Sequence, residues 1–434
     1  MPSPFAPMLT LCFVALLAPS VVQAGTAGDE ILCNQTVAGH QANFGRNAVA
    51  LDGNGNFIVV WNSEQSTEGD IYARRFFANG TPNGAEFLVN SRTDGPQGYP
   101  AVAMNASGQF VIAWESPDVE DTGIRARSYG ADGVPLALDF QVNTNAALRQ
   151  QFPAVAIDSI GNYVCVWQRE VFDGAGFDYD IHFQRFNNAG NLVGTETWVN
   201  ATNYLDNQEF PAVAYGPAGN FVIAWEGPVA SINQGREILC RGFNNAGTQL
   251  FPEKVVNAYQ QGDQIQVSLA MDNSGNFTVV WCSFKDNSGA NYGIYGQRMI
   301  ANAIGDVVGN EFQVHATTAG DQFVPFIAMD ATGKFTVVWQ GPDAANSGIF
   351  GQVFNAAAVA QGSEFALNST TAAAQQIPSC AVDSTGRGVC AWTSYGQDAA
   401  STYGVIARRF FQINQVPTLL SGPTAAPNPV TLVP

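Results

Sequence analysis

Positive charge is scarce in this chain. Only 18 of its 434 residues are Lys or Arg, against 36 Asp or Glu, leaving a net charge of −18. Nucleic acids and anionic membranes are held by basic patches, so neither is an expected partner. The balance is compatible with cations or basic partners, and also with acidity that simply keeps an exported protein soluble. Histidine is rarer still: His40, His182 and His315 are far apart in the chain. With no C-x-x-C pair and no Cys/His cluster, zinc and redox sites lose support. There is no G-x-S-x-G, H-E-x-x-H, P-loop or dinucleotide fingerprint. No long stretch carries a 3.6-residue apolar period, so no helix is expected outside the leader.

Long apolar runs are missing too, apart from Met8 to Pro19. That run falls short of the ~20 residues a membrane helix needs, so no membrane span is expected. With Val22-Gln23-Ala24 after it, the run reads as a signal peptide over residues 1–24, cleaved after Ala24, although no Lys or Arg precedes it. The mature protein is expected to be secreted, or at the cell surface or in the periplasm. At the other end, residues 415–434 are Pro-rich and match no repeat, which predicts an extended or disordered tail.

What the chain has in abundance is repetition. Trp61, Trp114, Trp167, Trp225, Trp281, Trp339 and Trp392 stand 53, 53, 58, 56, 58 and 53 residues apart. A period near fifty indicates a solenoid, propeller or repeat array. Each unit holds four strand-like runs, as in Pro100–Met104, Phe110–Trp114, Ile124–Tyr129 and Phe140–Asn143. The second run is apolar on both faces, so its sheet must be covered on both sides. Radially stacked four-stranded blades satisfy that. The first turn has Gly in every copy (Gly55, Gly108, Gly161, Gly219, Gly275, Gly333, Gly386), as a tight hairpin with a residue at positive φ requires.

The seventh copy lacks a fourth run. Glu30-Ile31-Leu32-Cys33-Asn34 matches the fourth run of other units, such as Glu86-Phe87-Leu88-Val89-Asn90, so the N-terminal strand would close the last blade and remove an exposed sheet edge. The predicted fold is therefore all-β: a seven-bladed β-propeller over residues 25–414, with four-stranded blades and the last blade closed by the N-terminal strand. The unit resembles FPAVA-D-x-x-G-N-F-V-V-W repeats of exported bacterial propeller proteins, over about residues 30 to 411. That resemblance implies architecture and is nearly silent on activity.

A glutamine opens each repeat: Gln41, Gln97, Gln150, Gln208, Gln264, Gln322 and Gln375. Each follows, by seven or eight residues, the Asn (once His315) that ends a fourth run. Seven amides near one mouth could hydrogen-bond a glycan; the alternative is that each satisfies polar groups where the chain enters the axis. The connections from second to third run vary most and would share this face, where binding usually resides. Acidic residues gather there: Glu64, Glu68, Asp118, Glu120, Asp121, Asp173, Asp178, Asp180 and Asp286. They could act on a glycoside, bind Ca²⁺, or form a solvated rim. Asp52-x-Asn54-x-Asn56 looks like a calcium loop, but other copies lack the partner ligands and turn capping accounts for it better.

Six cysteines remain after the leader, and a three-residue hairpin loop would set Cys380 opposite Cys390 as a disulfide candidate. The expected function is an extracellular binding or interaction module, acting as a monomer on a glycan or protein partner and needing no cofactor. The alternatives are a secreted polysaccharide hydrolase or lyase using loop carboxylates, and a structural envelope component.

Overall fold

The computed structural model describes residues 25–412, apart from residues 44, 46, 67, 173–175, 201–206, 217–218, 230–231, 286–290, 345 and 399–401. The signal peptide and the Pro-rich tail predicted from the sequence lie outside the described residues. The strands form seven antiparallel sheets that follow one another along the chain. Each innermost strand contacts the next, and the innermost strand of blade 7 (Gln375–Val382) returns to that of blade 1, so the ring is closed. Among the described residues no helix is long and apolar enough to cross a membrane.

Closure occurs through the N-terminal strand. Gly25–Leu32 pairs antiparallel with Tyr403–Phe411 and is the outermost strand of blade 7, whose order is completed by Arg387–Tyr395 and Gln375–Val382. Pairing starts earlier than the sequence match implied, with Gly25 opposite Phe411, and a bulge between Ala27 and Ile31 resets the register. Cys33 is fully buried and Leu32 is 38% exposed, so the strand seals blade 7 with alternating sides.

The blades cohere because their second strands are sandwiched. Phe57, Ile58, Val59, Val60 and Trp61 have essentially no exposure, and the same holds for Phe110 to Trp114. A strand apolar on both faces can be buried only between two neighbouring sheets, and each core cluster accordingly mixes residues of adjacent blades. The seven turn glycines all have φ between 79° and 92°, the left-handed conformation that L side chains rarely adopt. Blade 1 departs from the pattern. Its innermost strand is broken into Gln41–Ala42 and Val49–Leu51, with the three-residue excess after Gln41 in the gap. Gly45 in that gap lies so close to blade 2 that a Cβ would overlap the Pro100 carbonyl.

Cys380 and Cys390 are direct cross-strand partners, as the hairpin length requires. Both are buried free thiols in the core between blades 6 and 7, so the anticipated disulfide is not formed in this structure. Cys33, Cys165, Cys240 and Cys282 are also buried.

Candidate functional site

The predicted glutamines lie inside the blades. All seven are 2% exposed or less, and each amide oxygen accepts the indole N–H of its own blade's tryptophan. The distance is 3.0 Å for Gln41 and Trp61, 3.0 Å for Gln97 and Trp114, and 2.8 Å for Gln150 and Trp167. It is 2.8 Å for Gln208 and Trp225, 3.0 Å for Gln264 and Trp281, 2.9 Å for Gln322 and Trp339, and 2.8 Å for Gln375 and Trp392. Several amide nitrogens donate to the preceding loop, as Gln150 does to Ala147 O at 3.0 Å. A buried indole N–H needs an acceptor, and the amide supplies it. Each of these oxygens is thus buried and already engaged by an indole. The sequence carried the signal in the 17-residue Gln-to-Trp spacing of six copies, lengthened to 20 in blade 1.

The recurrent Asn is equally committed. Asn90 Oδ1 accepts the Ile71 N–H at 2.8 Å while its Nδ2 donates to Asp70, and Asn143, Asn200, Asn257, Asn368 and Asn34 hold the same third-strand N–H in their blades. Fourth-strand carboxylates then clasp one blade to the loop leaving another. Glu86 accepts from Thr36, Glu196 from Thr144, Glu364 from Ala316, and Glu30 of the N-terminal strand from Thr370.

Burial alone would raise Glu196, but the adjacent His182 imidazole, 3.3 Å away, and hydrogen bonds from the backbone and hydroxyl of Thr144 outweigh it and hold the carboxyl at about 2. Glu30 is likewise lowered against burial by Ser369, Gln397 and Thr370. A depressed carboxyl pKa stabilises the fold above the unfolded value of 4.5, and that stabilisation is lost as pH falls from there toward 2. Wild type should therefore melt higher than Glu196→Gln at pH 6 and lose that advantage by pH 2.5 in a thermal-melt series. An unchanged gap across the series would rule out the charged clasp.

Acidic residues expected on the loop-bearing face are placed as follows. Asp118 accepts the N–H groups of Glu120 and Asp121, each at 3.1 Å, and Asp121 pairs with Arg149 at 3.1 Å. Asp180 accepts from Asn200 at 2.7 Å. Glu64 and Glu68 line a cleft of about 400 Å³ with His40, Asn62, Ser63, Ser66, Gly69 and Gln97, between the blade 1 loop and the entry to blade 2. Asp173 and Asp286 lie outside the described residues. The turn aspartate Asp52 spends Oδ1 on the N–H groups of Asn54 and Asn56 and Oδ2 on the Asn56 amide, which is turn capping. His182 contacts Glu196, His40 the Tyr403 N–H, and His315 the Thr317 carbonyl, so the three histidines do not converge.

A different set of residues converges on the axis. Two positions after each glutamine in blades 2 to 7, Tyr99, Phe152, Phe210, Gln266, Val324 and Ile377 adopt φ between 49° and 61°. Each non-glycine residue in this region costs on the order of 1–3 kcal/mol and persists only where its surroundings impose it, commonly at functional sites. Here the constraint is a bulge that breaks the register of the innermost strand. The turned backbone N–H is held by the preceding blade: Phe152 N–H by Glu115 Oε1 (2.7 Å), Phe210 by Gln168 (3.0 Å), Gln266 by Glu226 (2.7 Å) and Ile377 by Gln340 (3.4 Å). Glu115, Gln168, Glu226 and Gln340 each follow the blade tryptophan. Where Cys282 takes that position, Gln266 holds the Val324 N–H instead, at 2.8 Å.

These bulges bring three aromatic rings together. Tyr99 and Phe152 meet edge to face with centroids 4.7 Å apart, and Phe152 and Phe210 are also 4.7 Å apart. The arc spans the innermost strands of blades 2, 3 and 4, and Tyr99 is 38% exposed. Nothing local in the sequence marks it, since aromatic residues do not favour positive φ.

No protein-family model matches the chain, and no curated protein matches its sequence. Solved structures match its fold. A Dyadobacter fermentans protein of unknown function has a TM-score of 0.52 at 10% identity, covering 90% of this chain and 99% of its own. The polysaccharide lyase Uly1 has a TM-score of 0.52 at 9% identity, covering 89% and 99%. A fungal alcohol oxidase in complex with copper has a TM-score of 0.50 at 10% identity, covering 90% and 76%. At these identities the likeness is one of fold.

Proposed function

We propose that the protein is an exported carbohydrate-binding propeller that receives a neutral glycan at the axial mouth of its loop-bearing face. The observation that carries this reading is the arc of Tyr99, Phe152 and Phe210. Three part-exposed rings in successive contact form an apolar surface, set by the same bulge that recurs in blades 2 to 7. A cleft over blade 1, whose lining includes Gln97 two residues before Tyr99, is rich in carboxylate, hydroxyl and amide groups that could hydrogen-bond a chain extending outward from the rings. A net charge of −18 repels polyanionic glycans, which favours uncharged ones. The presence of a polysaccharide lyase among proteins of similar fold is in keeping with a carbohydrate ligand.

The test is affinity electrophoresis of the protein from residue 25 onward in gels containing soluble xylan, β-glucan, arabinan or galactan, with a parallel assay for released sugar. Retardation by at least one polymer without release is expected. Phe152→Gly should weaken it about tenfold or more, roughly the 1.5–3 kcal/mol associated with burying a Phe side chain. Glycine suits φ of 51°, so the variant should keep its melting temperature. Absence of retardation in all four gels would refute the proposal, and release of sugar would favour the hydrolase or lyase alternative.

A further inference from the structure

The hydrogen bond that links neighbouring blades at the mouth needs only a carbonyl-type acceptor. Gln168 and Gln340 provide it with neutral amides. Glu226 provides it with a carboxylate that has a cation nearby, Arg236 at 3.8 Å, and Arg236 also pairs with Glu209. Glu115 does the same job with a carboxyl that is 7% exposed and, among the described residues, has no cation beside it. Its Oε1 accepts the Phe152 N–H, and its Oε2 makes no hydrogen bond to any described residue. As a structural acceptor, an acid at this position is inferior to the amide used one blade away, because burying a charge without a partner is costly.

We propose that Glu115 is the polar ligand contact of the axial mouth: Oε1 stays on the Phe152 N–H, and Oε2 carries a proton that it donates to a ring or glycosidic oxygen of the sugar lying on Tyr99 and Phe152. This rests on the carbohydrate reading above. Glu115 sits between those two rings' strands, paired with Gly98 across to the innermost strand of blade 2 and bonded to Phe152 of blade 3. Burial pushes its carboxyl up to about 7, against the hydrogen bond from Phe152, so a large share of the donor form persists into the neutral range. Ring and glycosidic oxygens have no proton of their own to give, and a protonated carboxyl complements them. The titratable group facing Glu115 from its own blade's innermost strand is Tyr99, itself raised by burial and by Glu115. On the third strand, Arg125 is turned to Asp139 and Arg127 to the carbonyls of Val89 and Ala137. Phe152 contributes only its backbone N–H and an uncharged ring.

The experiment measures the affinity for xylohexaose and cellohexaose between pH 5.5 and 8.5 by titration calorimetry. Neither sugar titrates in that range, so any pH dependence belongs to the protein. Wild type should weaken tenfold or more as pH rises through about 7. Glu115→Gln keeps the Phe152 bond, as Gln168 does for Phe210, and puts an amide donor where Oε2 stood, so it should bind with a flat pH profile. It should also melt at least as high as wild type at pH 8.5, because ionisation of an unpaired buried carboxyl is removed. Glu115→Ala should bind about tenfold more weakly than wild type at pH 5.5 and show a flat pH profile. If wild type and Glu115→Gln share one pH profile while Phe152→Gly still weakens binding, this assignment fails and the carbohydrate reading stands. If neither sugar binds wild type, the assignment fails, and the four-polymer gels decide the broader reading separately.

Discussion

A protein lacking residues 25–36 should melt far lower than the intact ring or associate through its open edge. The deletion takes no residue from any other repeat but removes the strand paired with Tyr403–Phe411. It also removes Glu30, which clasps the loop at Ser369 and Thr370, and Asn34, which accepts the Val405 N–H at 2.9 Å. Arg408 loses the Gly28 carbonyl, and Arg74 of blade 1 loses the Cys33 carbonyl. Burial of Cys33 and part of Ile31 is worth about 2–4 kcal/mol at roughly 1.5–3 kcal/mol per large apolar side chain. Each net hydrogen bond adds about 0.5–1.5 kcal/mol. Together these approach the ~5–15 kcal/mol that holds a typical domain folded. Thermal melts and sedimentation of the truncated protein check this, as does partial recovery on adding the strand as a peptide. An unchanged melting temperature with a monomeric truncated protein would mean that the ring does not depend on this strand.

Cutting the indole-to-amide bond should reveal the energetic role of the repeated glutamines. Gln150→Leu leaves the Trp167 N–H buried with no acceptor, which costs about 1–3 kcal/mol. Trp167→Ala opens a cavity in the core shared by blades 2 and 3 and should cost about 3–5 kcal/mol. The informative variant is the pair Gln150→Leu with Trp167→Phe. Removing donor and acceptor together costs less than the sum of the single changes, and a double-mutant cycle from urea unfolding measures the difference. Strict additivity would show that the bond contributes nothing. Full stability in Gln150→Leu, joined to lost glycan retardation, would instead make this glutamine a ligand contact.

Much of the architecture was readable because it is written in local, periodic terms. The Trp spacing counts blades; the turn glycines mark hairpins that only positive φ can close; and the displaced Glu30–Asn34 fragment points to the closing strand. The fully apolar second runs require burial on both faces wherever they sit. Each of these depends on a residue and its near neighbours, so the chain alone determined a seven-bladed ring and which strand closes it. The functions of the recurrent polar residues were not decided there. Gln and Asn at a mouth look alike whether they face a ligand or an indole; the constant Gln-to-Trp spacing is compatible with either, and the packed blades place each amide against its indole.

The aromatic arc and Glu115 were decided by the tertiary structure. Tyr99, Phe152 and Phe210 are more than fifty residues apart in sequence and meet because innermost strands of different blades converge on one axis, while bulges turn their backbones against intrinsic preference. Glu115 and Gln168 occupy equivalent repeat positions, and no sequence pattern reveals that one is a buried acid with no cation beside it among the described residues. Burial, the absence of a cation and the contact with the next blade's Phe152 arise only when separate blades pack together, since desolvation and electrostatic environment are properties of the assembled ring and not of any single repeat.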